Sequence, residues 1–313
     1  MYYVGIDLGG TNIAAGLVSE DAKILADMSI PTRAERTWQE IVADMADLSK
    51  KVIEKAGVDI SDVKGVGIGC PGSIDNENGI CTYSNNLKME NADIRTEFQK
   101  HLDLPVNLEN DANAAALGEY MVNGQGATSY VFVTLGTGIG GGIVLGGKIF
   151  RGHNGAGAEI GHTVIVSDGT ECTCGRLGCW EAYASVTALI RQTKAKMEKN
   201  PDSLMHQFAE KEGKVTGRTS FDAAKAGDKA AQEVVDQYFK YVAEGITNMV
   251  NIFQPEKIVI GGSISKEGDY LLKPVAEFLA KNDYNRYMNK AKVEIATLFG
   301  DAGIIGAALS AKQ

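Results

Sequence analysis

The sequence predicts an α/β protein of two lobes, each built around a mixed sheet. Three observations lead there. Apolar runs with strand character alternate along the chain with runs of helical period. A strand–glycine turn–strand unit at residues 2–18 recurs at residues 130–145, which suggests one copy per lobe. The length, 313 residues, exceeds one ordinary domain and leaves room for two cores.

Each element has its own local cause. Residues 2–8 read as a strand, Gly9-Gly10-Thr11-Asn12 as a turn, and residues 13–18 as the returning strand. Thr37 and Glu40 stand at capping-box spacing, Ile41, Met45, Leu48 and Val52 form an apolar stripe, and Gly57 is placed to close that helix. Residues 63–69 form a short buried strand ending in the turn Cys70-Pro71-Gly72. A strand at 105–108 runs into Glu109-Asn110-Asp111 and a helix through 112–121. The second hairpin has strands at 130–135 and 143–145 around a turn at 136–142. A long helix, about 229–253, carries Val234, Val235, Tyr238, Val242, Ile246, Met249 and Phe253, and Pro255 ends it. A strand at 257–260 leads into Gly261-Gly262-Ser263, and the tail is a glycine turn at 300–303 followed by a small-residue helix over 304–311. Asn123-Gly124-Gln125-Gly126 is the expected hinge. It would separate a small lobe, 1–122 completed by 301–313, from a large lobe, 123–300.

Composition narrows the function. A net charge of −9 argues against a nucleic-acid surface, although backbone amides bind phosphate without any basic side chain. No apolar run approaches the about 18 residues of a membrane span. Residues 1–7 lack a basic n-region, so no signal peptide is expected. Glycine is in excess, 37 residues against a usual share of about 7%, and clusters at a few turns. Of five cysteines, Cys70, Cys81, Cys172, Cys174 and Cys179, three crowd into one short segment. That pattern fits a metal site in a reducing compartment, hence a cytoplasmic protein.

The candidate chemistry lies at the turns. In Asp7-Leu8-Gly9-Gly10-Thr11-Asn12 the glycine amides can face phosphate oxygens and Asp7 can hold Mg²⁺, though an ordinary hairpin has the same residues. No Gly-Lys-Ser/Thr follows, so it is not a Walker loop. The second glycine turn, 135–142, has more glycines than a turn needs, which suggests close approach of a ligand or another backbone. Gly261-Gly262-Ser263 is the weaker signal, shared by many α/β loops. Asp111, between strand and helix, fits an N-cap as well as a base that accepts an alcohol proton. Beside it, Glu109 and Asn110 crowd the carboxyl end of a strand, where α/β folds place ligands. His162 with Cys172, Cys174 and Cys179 makes a complete tetrahedral zinc shell, leaving no vacant position for a reactive water. Buried reduced thiols or a redox pair are the alternatives. If one ring nitrogen of His162 binds zinc, the other is oriented toward a ligand hydroxyl, and Glu159 and Glu181 flank the segment.

In these motifs, taken in order over essentially the whole chain, the sequence resembles the ROK family of sugar kinases and sugar-responsive repressors. The resemblance implies an actin-like (ribonuclease H-like) two-lobed ATPase fold with mixed sheets and a cleft between the lobes. It implies a glucokinase-type ATP-dependent hexose kinase with Asp111 as general base toward the 6-hydroxyl. Asn110 and the Gly72 turn would hold the sugar ring, with Glu159, His162 and Glu181 near its anomeric carbon. Gly9, Gly10, Thr11, Asn12, Thr137 and Gly138 map to the nucleotide site, Gly261 and Gly262 near adenosine. His162, Cys172, Cys174 and Cys179 match the zinc ligands. ATP with Mg²⁺, structural Zn²⁺ and a homodimer follow from the same likeness. Glucose is the expected sugar, with fructose, mannose, allose, N-acetylglucosamine and N-acetylmannosamine open as substitutes. A repressor of this kind would carry a helix-turn-helix domain before the first hairpin, which here begins by Tyr3; an actin-like ATPase would leave the polar cluster without a task. One departure is Met89, where many relatives have tryptophan; it bears on packing under the sugar loop.

Overall fold

The computed structural model describes residues 1–285 and 287–312. Strands β1 (Tyr2–Leu8) and β2 (Asn12–Ser19) form the antiparallel hairpin that the first glycine turn signals, in register from Tyr2↔Ser19 to Leu8↔Ile13. β3 (Ile24–Pro31) continues the meander. Helix α1 (Trp38–Ala56) starts at Thr37 with both halves of the capping box present and stops at Gly57, whose φ of 66° is a left-handed cap. Its buried face, Ile41, Met45, Leu48 and Val52, joins Val4, Ile6 and Leu8 of the sheet in one core.

β4 (Val63–Cys70) then runs parallel to β1. A small antiparallel sheet follows: β5 (Ser73–Asp75), β6 (Ile80–Ser84) and β7 (Met89–Asp93). These strands are short, and the sequence does not announce them. Met89 opens β7 fully buried in the first core, so it fills space there as a flexible apolar side chain. After α2 (Ile94–Gln99), β8 (Val106–Asn110) pairs parallel with β4, giving the order β3-β2-β1-β4-β8. α3 (Asp111–Glu119) leaves its end and passes into a π-helical turn, Tyr120–Gly124.

The second sheet holds β9 (Ser129–Leu135), β10 (Ile139–Leu145) and β11 (Lys148–Ile149). The turn between β9 and β10 is shorter than expected, because residues 139–142 belong to β10. Gly142 is glycine for a packing reason: a Cβ there would meet Ala116 Cβ at 2.3 Å. Helices α4 (Glu181–Ala184), α5 (Val186–Lys199), α6 (Met205–Lys211), α7 (Thr219–Lys225) and α8 (Lys229–Phe253) come next. α8 buries the expected stripe from Val234 to Met249. β12 (Lys257–Gly261), α9 (Asp269–Asn282) and β13 (Lys292–Ile295) complete the order β11-β10-β9-β12-β13.

The last helix, α10 (Asp301–Ser310), begins three residues before the expected 304. It lies against backbone that only glycine leaves accessible. A Cβ on Gly5 would come within 1.9 Å of Ile304 O, and one on Gly67 within 1.7 Å of Ala307 O. The same holds on its other side, where a Cβ on Gly306 would meet Ala114 O of α3 at 1.6 Å. The chain divides into two compact units, one of residues 1–132, 142–158 and 297–313, the other of 133–141 and 159–296. The division therefore falls inside β9 and not at Asn123–Gly126. There Gly124 sits against the rings of Tyr120 and Tyr130, which explains that glycine by packing. Among the described residues no helix is long and apolar enough to cross a membrane.

Candidate active site

In the first unit three parallel strands deliver their carboxyl ends side by side. Register places Asp7 of β1 opposite Gly69 of β4, and Gly69 opposite Glu109 of β8; Cys70 then faces Asn110. Gly69 lets α3 begin close by, since a Cβ on it would stand 3.7 Å from the Asp111 Cα. Asp7 and Asp111 are thereby neighbours. Burial, with the Asp111 charge adding to it, lifts the Asp7 carboxyl from 3.8 to about 6. Burial also raises Asp111, against the opposing effect of the Ala112 N–H, which donates to its Oδ1 at 2.8 Å.

The helix cap falls on Asn110, not Asp111. Asn110 Oδ1 accepts from the N–H groups of Ala112 and Asn113, and its Nδ2 donates to Gly72 O at 3.1 Å. That bond joins two of the expected sugar-binding positions. Gly72 itself has φ 119°, and a Cβ would lie 2.1 Å from Tyr83 O, so no other residue fits that turn. Gly10, Thr11 and Asn12 are exposed at the β1–β2 turn, and Asn86 approaches Gly10.

Glu109 stands at the strand end where a ligand-facing group is expected, but it is turned inward. It is 1% exposed, and its Oε2 accepts from Arg151 Nε at 2.8 Å and Nη2 at 2.7 Å. Its Oε1 accepts from Asn110 N–H and Asn113 Nδ2. The Glu109–Arg151 pair thus holds the strand end that presents Asn110 and Asp111. Arg151, 42 residues downstream, is linked to Glu109 by no motif or spacing that the sequence displays.

In the second unit Thr137 and Gly138 occupy the β9–β10 turn. Val186 N–H donates to Gly136 O and Thr187 Oγ1 to Thr137 O, which fasten the turn to the start of α5. Gly262, at φ 82°, abuts Leu135, where a Cβ would meet the carbonyl oxygen at 2.4 Å. Gly262 therefore packs on the end of β9, two residues before Thr137. Glu181 Oε2 accepts from Ile139 N–H at 2.9 Å, and a Cβ on Gly138 would strike it at 2.3 Å. Glu181 Oε1 lies 3.3 Å from Thr173 Oγ1 and 3.8 Å from Cys172 Sγ. Glu181 is thus held in one orientation between the turn and the cysteine segment. Glu159 is exposed and precedes a single 3-10 turn, Ile160–His162, whose Gly161 fits against Ile139 O.

His162, Cys172, Cys174 and Cys179 bring one ligand atom each to within 4.8 Å of one another. Cys172 Sγ is 3.6 Å from His162 Nδ1, and Cys174 Sγ 3.7 Å from Cys179 Sγ. Three thiols and an imidazole at this spacing are the donor set of a structural zinc site, so the residues fit the ion. Burial raises the Cys172 thiol and pushes Cys179 up to about 12, whereas the Arg176 N–H lowers the exposed Cys174.

Residues 3–313 match the ROK family. The chain is 39% identical over 312 residues to a glucokinase of Thermotoga maritima, covering 99% of this chain and 97% of that one. It is 38% identical over 314 residues to a glucokinase of Halalkalibacterium halodurans, with 100% and 95% covered. Among solved structures, a ROK family glucokinase from Streptomyces griseus in complex with glucose and AMPPNP superposes with a TM-score of 0.85 at 34% identity, over 100% of both chains. The fold class is accordingly the actin-like α/β one, and the chain belongs to the ROK family.

Proposed function

We propose that this chain is an ATP-dependent hexose kinase that phosphorylates the 6-hydroxyl of glucose. The observation that carries it is the pair of raised carboxyls, Asp7 and Asp111, at adjoining strand ends in a chain whose relatives are glucokinases. Asp111 serves as general base. Its burial makes it a stronger base than a free carboxylate and keeps water from solvating it. Asn110 and the Gly72 turn, joined by their hydrogen bond, position the ring near the reacting hydroxyl. Glu159, His162 and Glu181 read the hydroxyls around the anomeric carbon.

The triphosphate is received by the turn Gly9, Gly10, Thr11 and Asn12, in which Gly10, Thr11 and Asn12 are exposed and the Gly9 N–H closes the turn on Asn12 O, and by Thr137 and Gly138, with Gly261 and Gly262 at adenosine. Asp7 would hold Mg²⁺, directly or through water, and the ion would supply neutralisation of phosphate charge. His162, Cys172, Cys174 and Cys179 would hold zinc, which orders the segment and leaves His162 Nε2 free of the metal. Transfer of the phosphoryl group needs little covalent work from the protein beyond alignment, charge stabilisation and removal of the hydroxyl proton.

The test is a coupled ADP-release assay with and without a panel of hexoses, glucose first. Glucose-dependent release with glucose 6-phosphate as product supports the assignment. Release that ignores every sugar would mark an ATPase and overturn it.

A further inference from the structure

The turn between β1 and β2 is held by a residue that belongs to neither strand. Thr32 follows β3 and is fully buried. Its Oγ1 donates to Gly9 O at 2.6 Å, and its N–H donates to Thr11 O at 2.8 Å. Its own carbonyl accepts from Arg36 Nη2 at 3.1 Å, and Arg36 is ion-paired with Asp44 at 2.5 Å. Thr32 is therefore itself fixed, from α1, before it fixes the turn.

Peptide geometry gives these bonds a consequence. In a trans peptide the carbonyl and the following N–H point in opposite directions. With the carbonyls of Gly9 and Thr11 drawn toward Thr32, the N–H groups of Gly10 and Asn12 face away from it, and both residues are exposed. A peptide flipped at either place would offer a carbonyl oxygen where an amide should meet anionic oxygen.

We propose that Thr32 is the positioning residue of the phosphate turn: its hydroxyl and amide set the direction of the amides that receive the polyphosphate tail of a nucleoside triphosphate. The proposal rests on the nucleotide assignment above and names the residue that makes it work. Valine at this position keeps the shape and removes the donor. It leaves the Gly9 carbonyl unpaired beside a methyl group, so the peptide loses its preference.

Direct titration with a non-hydrolysable ATP analogue and, separately, with glucose tests this. Thr32→Val should weaken binding of the analogue about tenfold and leave glucose affinity unchanged, and Thr32→Ser should restore nucleotide affinity. Arg36→Met, which frees the Thr32 carbonyl, should act in the same direction by a smaller factor. A folded Thr32→Val chain that binds the analogue like wild type, or loses both ligands equally, overturns the proposal. Should Thr32→Val not fold, unchanged analogue affinity in Arg36→Met overturns it instead. If the wild-type chain binds glucose but no ATP analogue, the nucleotide assignment itself fails, and this proposal falls with it.

Discussion

Asp7 carries a charge that its surroundings resist. Its carboxyl is raised from 3.8 to about 6, so the folded chain binds that proton more tightly than the unfolded chain does. The sign follows. This contribution to stability is complete below pH 3.8 and is lost as pH rises through about 6, a loss of about 3 kcal/mol for a shift of this size. Asp7→Asn should therefore unfold at a higher temperature than wild type at pH 8, and the gap should close toward pH 4. Its turnover should be nearly abolished, because the amide cannot attract a cation. An Asp7→Asn chain no more stable than wild type at pH 8 would show that the charge is not strained. Asp111→Asn separates chemistry from binding. Glucose affinity should persist while kcat falls about 10²- to 10⁴-fold, the usual share of a positioned base; near-normal turnover would remove Asp111 from that role. If both carboxylates act ionised, wild-type kcat/KM, which reports the free chain, should decline as pH drops through about 6, where Asp7 takes up its proton.

At the level of elements, α10 is the piece whose fit decides most. It touches the backbone of β1 and β4 on one side and of α3 on the other, and the glycines at positions 5, 67 and 306 make those approaches feasible. α3 in turn carries Asp111 in its first turn. Gly306→Ala would place a Cβ 1.6 Å from Ala114 O and 2.7 Å from Gly118 N, so α10 and α3 must part. The expected result is destabilisation of about 3 kcal/mol, the upper end for overpacking, with a lower kcat because Asp111 shifts. Urea unfolding and steady-state kinetics check both; a variant as stable and active as wild type would show that the helices have slack. Gly57 makes the contrast. It caps α1 with nothing within 4 Å, so it answers to backbone conformation alone.

For the molecule as a whole, the second unit contains a cluster to which no α-helix or named strand contributes a residue. His162 and the three cysteines sit in turns joined by isolated bridges, Val164↔Cys179 and Glu171↔Leu177. A bound zinc would stabilise this segment and, through Cys172 and Glu181, the β9–β10 turn. Cys174 is exposed, so Cys174→Ser costs little in packing and reports the metal. That variant should lack zinc by elemental analysis, unfold several degrees lower and show a raised KM for glucose. Zinc-free protein with unchanged stability and KM would defeat the structural-metal assignment. Acid should release the ion, since thiolate and neutral imidazole are the forms that bind zinc and protons compete for both.

What could be read in advance was local. The capped α1, the long α8 and the first hairpin are each specified by periodicity and end signals within a few residues of one another. The gathering of His162 with Cys172, Cys174 and Cys179 was legible for the same reason, since they lie in one short segment. Tertiary structure alone decided the rest. The Glu109–Arg151 pair, the Thr32 clamp, the glycine bed of α10 and the raised carboxyls of Asp7 and Asp111 all arise between residues distant along the chain. Strand register and burial create those interactions, and a linear pattern contains neither.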